Sequence, residues 1–99
     1  MQEDHVSMGW SAARKLRVAV DNLARVLAVE LVCSARALDL RVPLVAAAGT
    51  AAARTRLRAD VAGPGPDRFL SPELELAYEL VRHGDIVEAV ENAVGPLHR

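Results

Sequence analysis

A run of about 32 residues, 7–39, contains no proline and a single glycine, Gly9, in its first turn. Apolar side chains recur at Leu16, Val20, Leu23, Leu27, Leu31 and Leu38, the three-or-four spacing that places them on one helical face. A polar stripe through Arg14, Arg17, Asp21 and Arg25 gives the first half a solvated side, and its continuation meets Val29 and Val32, where the polarity ends. From Val26 to Ala35 the run is apolar nearly all round, a pattern that predicts burial on every side. Such a helix is roughly 48 Å long, whereas a compact domain of this size is about 33 Å across. Its own chain cannot enclose it. The chain is therefore expected to be part of a larger helical-bundle assembly, completed by more polypeptide or by oligomerisation.

The rest of the sequence is cut into short helices. Pro43 breaks the chain after Leu40. An Ala-rich helix is predicted over about 50–61, with Thr50 as its N-cap, and Gly63-Pro64-Gly65-Pro66 reads as a loop. A third helix, about 72–83, starts with Ser71 as the cap hydroxyl, Pro72 at N1 and Glu73 at the positive helix end. It turns Leu74, Ala77, Leu80 and Val81 inward and stops at Gly84. Asp85 with Glu88 resembles a capping box for a last helix, about 86–94, ended by Gly95-Pro96. The apolar share is 52%, yet Trp10, Phe69 and Tyr78 are the only aromatics; Ala, Leu and Val favour close-packed helices over a sheet. The fold class is all-α, one long N-terminal helix plus two or three shorter ones.

Charge and cysteine content exclude several functions. The net charge is −1 over 99 residues, so no basic nucleic-acid face is expected. The acidic N-terminus is no signal peptide, and Arg25, Glu30 and Arg36 interrupt the most apolar window before it could span a membrane. One cysteine, Cys33, rules out an internal disulfide framework and fits a reducing compartment; its place in the apolar stretch predicts a small core residue. His5, His83 and His98 lack metal-ligand spacing, so no metal site is expected. His83 reads as a cation-capable residue at a helix C-terminus. Arg54, Arg56 and Arg58, two apart, spread around their helix as solvated charge.

The first residues carry the densest chemistry. Gln2-Glu3-Asp4-His5 sets an amide, two carboxylates and an imidazole just ahead of the long helix. Asp4 or Ser7 could simply cap that helix. Equally, a helix end can deliver a carboxylate to a ligand bearing N–H donors, such as an imidazole or an ammonium group. Composition leaves both readings open.

Gln2-Glu3-Asp4-His5-Val6-Ser7-Met8-Gly9, followed by Ala12-Ala13-Arg14-Lys15-Leu16, resembles the start of the C-terminal segment of histidine ammonia-lyase. The likeness continues through Leu27-Ala28-Val29-Glu30-Leu31, Ala37-Leu38-Asp39-Leu40 and Asp67-Arg68-Phe69-Leu70-Ser71-Pro72-Glu73. Phenylalanine and tyrosine ammonia-lyases usually lack the Glu-Asp-His run, so the resemblance implies L-histidine as substrate and trans-urocanate plus ammonia as products. It further implies a cytoplasmic homotetramer of long helices, whose electrophile is a methylidene-imidazolone ring formed from an internal Ala-Ser-Gly. By the same resemblance Glu3 is the catalytic carboxylate near the substrate imidazole, Gln2 a substrate-binding residue, and His5 a structural hydrogen-bonding one.

Departures from that pattern matter. No Ala-Ser-Gly occurs; the nearest string, Ala47-Ala48-Gly49-Thr50, lacks the serine. Tyr78 has a core-like position in its helix and is not expected to be the catalytic base. Met1 stands where the family has Asn, which points to a truncated reading frame or a boundary imposed on a longer chain. Alone, the chain is expected to be inactive and to need a further copy or the N-terminal part of the lyase as partner. The alternative is a non-catalytic helical interaction protein that kept the oligomerising helix and lost the chemistry.

Overall fold

A computed structural model describes the backbone of residues 2–98 and the side chains of residues 8–98. Among these, the chain forms four helices and no strand: α1 Gln2–Asp39, α2 Ala48–Arg58, α3 Ser71–Arg82 and α4 Asp85–Val94. The all-α class with one long leading helix is as the sequence pattern predicts. α1 starts five residues before the predicted boundary, so Asp4 and Ser7 lie within the helix rather than at its cap. Gln and Glu are good helix formers, and acidic residues near the N-terminus are favoured by the helix dipole.

At 38 residues, α1 dominates the shape. The molecule measures 64 × 36 × 18 Å with a radius of gyration of 17.7 Å, where a compact chain of this length has about 13 Å. α3 packs along the second half of α1, and α2 packs on α4. Ala24, Ala28, Ala35, Leu57, Val61, Ala77, Tyr78 and Leu80 form the core, flanked by Leu31, Val32, Val81 and Ile86.

The face that α1 buries is not the one its leucines mark. Ala24, Ala28 and Ala35 are buried, while Leu16 is 65% exposed, Leu23 57% and Val26 62%. Small side chains let α3 approach closely with Ala77, Tyr78 and Leu80, and the larger ones are left outward. Every residue from 8 to 20 is exposed. Cys33, expected in the core, is exposed too. The three shorter helices reach only part of α1 and run out before covering the rest.

The caps also depart from the sequence reading. Ala47 caps α2 and Thr50 lies inside it; Leu70 caps α3, with Ser71 as its first residue; none of the caps of α2–α4 uses a side-chain hydrogen bond. Gly84 caps α4 with φ 76 while closing α3, a left-handed conformation that glycine adopts without steric cost. Asp85 is thereby the first residue of α4 rather than its cap, and its carboxylate lies 3.7 Å from Arg56.

The arginines of α2 are not merely solvated charge. Arg54 and Arg58, one turn apart, both converge on Asp39 at the end of α1, while Arg56 pairs with Asp60 at 3.0 Å. Arg54 Nε donates to Asp39 at 2.7 Å and its terminal nitrogen lies 2.5 Å away; Arg58 donates to the other oxygen. The Asp39 side chain is only 9% exposed. Burial raises its carboxyl pKa, but hydrogen bonds from Arg58 and Arg54 outweigh that and hold it below the ordinary Asp value.

This clamp ties α2, and through it α4, to α1. A lowered folded-state pKa makes the clamp's contribution complete above the unfolded Asp value of about 3.9 and lost as pH falls through the folded one. Asp39→Asn is expected to cost about 2 kcal/mol at neutral pH, with a loss that shrinks toward zero near pH 2. Denaturant unfolding followed by circular dichroism checks it; an equal loss at both pH values would contradict the assignment.

Candidate functional site

Gln2 and Glu3 fall in the first turn of α1, and His5 follows in the next. The side chains of all three lie outside the described residues. What the structure fixes is the setting of that turn. The helix runs unbroken for 38 residues, and residues 8–20 stand clear of α2, α3 and α4. The described part of this stretch carries Trp10, with the Arg14 guanidinium 5.5 Å from its ring centroid. Glu3 thus falls in the turn of α1 beyond that exposed stretch, at the opposite end of the helix from where α2–α4 gather.

A second polar group lies where α1 meets α3. The Tyr78 hydroxyl donates to Asp21, Arg25 stacks over the Tyr78 ring at 4.1 Å, and the same guanidinium reaches Glu75 at 2.7 Å. Arg82 stands 3.9 Å from Asp21. The hydrogen bond to Asp21, followed by burial, pushes the Tyr78 phenol above the usual tyrosine value. It holds its proton more tightly than a free phenol, which suits an inter-helix staple and not a base. Asp21 and Arg25, expected in a solvated stripe, are the residues that make this join; nothing in the periodicity of α1 alone could show it, because their partners come from α3.

Other chemistry is sparse. Among the described residues, no group of three or more His, Cys, Asp or Glu could hold a metal ion. His83 caps the end of α3, with Glu79 at 3.5 Å. Ala48 and Gly49 begin α2, and a Cβ placed on Gly49 would meet Val90 and Val94 side chains at 3.6–3.7 Å. That helical turn, with no serine in it, does not fit a ring built from Ala-Ser-Gly. No helix of the described residues is long and apolar enough to cross a membrane.

The Asp39 clamp was missed in the sequence, although its signal is present: two arginines at helical spacing, shortly after a helix ending in Asp.

Comparison with known proteins bears directly on the first turn. The family model for aromatic amino acid lyase matches residues 1–59. The chain is 57% identical over 98 residues to histidine ammonia-lyase of Streptomyces avermitilis and 60% identical over 100 residues to that of Streptomyces griseus. It is 50% identical over 96 residues to histidine ammonia-lyase of Symbiobacterium thermophilum. These alignments take in 97–98% of this chain but only 19–20% of each relative, so the chain spans about a fifth of their length. No solved structure matches it. The match takes in all of α1, the Gln2–Glu3 turn included, and most of this chain aligns with histidine ammonia-lyases: the chain belongs to the aromatic amino acid lyase family.

Proposed function

We propose that this chain is the C-terminal part of a histidine ammonia-lyase, which eliminates ammonia from L-histidine to give trans-urocanate in the cytoplasm. Its role is to carry Glu3 on the end of α1 into an active site completed by the rest of the lyase and by neighbouring subunits. The observation that carries this reading is the bare side of α1. The chain exposes 7464 Å², where a compact monomer of its 10.6 kDa exposes about 5,500 Å². The surplus, roughly 2,000 Å², is in the range that obligate subunit interfaces bury. A rod with that much uncovered surface, ending in the family's Gln-Glu-Asp-His string, suits a helix inserted among others with its first turn at a site.

The chemistry of Glu3 follows from its type. A carboxylate accepting an imidazole N–H orients the ring of histidine and stabilises positive charge on it. Gln2, beside it, can donate and accept and so helps hold the substrate. The family's ring-forming Ala-Ser-Gly has no counterpart in these 99 residues, so the electrophile belongs to another part of the polypeptide and the chain by itself is inactive. The same bare face also admits the second reading, a non-catalytic oligomerising protein in which a further copy of the chain covers α1.

In a complete lyase carrying this segment, Glu3→Gln is expected to cut turnover by about 100-fold or more, whereas Tyr78→Phe should stay within about twofold and lower thermal stability instead. Steady-state assays of urocanate absorbance check both. Near-normal turnover in Glu3→Gln removes the site assignment. The purified 99-residue chain incubated with L-histidine should give no rise in urocanate absorbance; a time-dependent rise would overturn the claim that the ring must come from elsewhere.

A further inference from the structure

We infer that α1 pairs antiparallel with α1 of a second copy of this chain along its leucine face. Leu16, Val20, Leu23 and Leu27 follow one another at intervals of four, three and four, the spacing of a coiled-coil seam. They are 65%, 47%, 57% and 42% exposed, so α2, α3 and α4 leave this seam uncovered. Continued in the same rhythm, the seam is small at one end, Gly9 and Ala13, and polar at the other, Glu30 and Ser34. Antiparallel helices set the two alternating kinds of seam position opposite each other. Two copies so arranged place Leu16 against the partner's Leu27 and Val20 against the partner's Leu23, each contact made twice. The small end of one seam then meets the polar end of the other, Ala13 leaving room beside the partner's Glu30.

Charge fixes the direction. Lys15 and Glu30 flank the same edge of the seam by helical period. Both are exposed, and neither makes an ion pair among the described residues. About 22 Å separates them along one helix, too far to meet within it. In the antiparallel pair each Lys15 comes within about 3 Å, along the axis, of the level of the partner's Glu30. That gives two equivalent ion pairs, whereas a parallel pair would set lysine beside lysine and glutamate beside glutamate. Such self-complementarity is what a two-fold contact requires. The surplus surface of roughly 2,000 Å² exceeds the about 800 Å² that each partner gives to a standard interface. The seam, and not the reaction, carries this inference: it names one neighbour of α1 under either reading of function, and its test reads no turnover.

The test is cysteine cross-linking in a complete lyase carrying this segment, with Cys33→Ser to remove the exposed native thiol. Lys15→Cys together with Glu30→Cys, treated with a short bismaleimide, should link one subunit to another through these two positions, as identified by peptide mass spectrometry. Either substitution alone should give no link, because like positions lie about 20 Å or more apart in the antiparallel pair. Reversing one charge, by Lys15→Glu or Glu30→Lys, should lower the thermal midpoint of the assembly by about 2 °C or more, and reversing both should restore it. Links in the single variants would mean a parallel pair and overturn the inference. No link in the double variant would overturn it too, since another part of the polypeptide would then cover the seam. A double reversal no more stable than the single ones would do the same.

Discussion

The uncovered apolar surface of α1 is the constraint on which everything else in this chain depends. A 38-residue helix is longer than any globule that 99 residues can build. Ala24, Ala28 and Ala35 lie in the core, while Leu16, Leu23, Val26 and Leu27 stay exposed. Burial of such side chains is the main favourable term in folding, so a sequence that places them outward on a rod calls for other helices to lie against it. Membership of a family whose curated relatives are about five times longer accounts for that need.

At the other end of the rod the packing is local and largely polar. Asp39 gathers Arg54 and Arg58, Asp21 and Arg25 join α1 to Tyr78 and Glu75, and Arg68 closes the loop onto Glu73. Leu57 and Val61 are the large side chains wholly withdrawn from solvent, too few to set the geometry alone. Charge-assisted hydrogen bonds to half-buried carboxylates supply direction that so small a core lacks. The consequence is a well-fixed cap at one end of α1 and a free helix at the other, where the Gln2–Glu3 turn lies. That division, an anchor at one end and the proposed site at the other, fits a part made to be inserted.

Much of this was legible in the sequence because it rests on period and punctuation. The long run without proline gives α1, Gly63-Pro64-Gly65-Pro66 gives the loop, and Gly84 marks the α3–α4 corner. What stayed hidden depends on partners from distant segments. Helical periodicity marks the leucine face of α1 but not whether this chain or another covers it, so Cys33 and Leu23 read as core and are exposed here. Thr50, Ser71 and Asp85 all look like caps, yet the backbone turns one to three residues earlier, at Ala47, Leu70 and Gly84. Arg54 and Arg58 read as solvated because their shared partner, Asp39, lies 15 and 19 residues away in the chain. The candidate site was legible by family resemblance alone: a four-residue polar string has no period to read, and only its likeness to known lyases singles out Glu3.

The most direct test of the central claim is sedimentation equilibrium of the isolated chain at low micromolar concentration, with helix content measured on the same sample by circular dichroism. If the bare face of α1 needs other helices, no fully helical monomer will be found: the chain either associates or loses much of the α1 signal on dilution. A monodisperse species of 10.6 kDa that keeps its full helix content would contradict the account, because it would show α1 stable with nothing covering it.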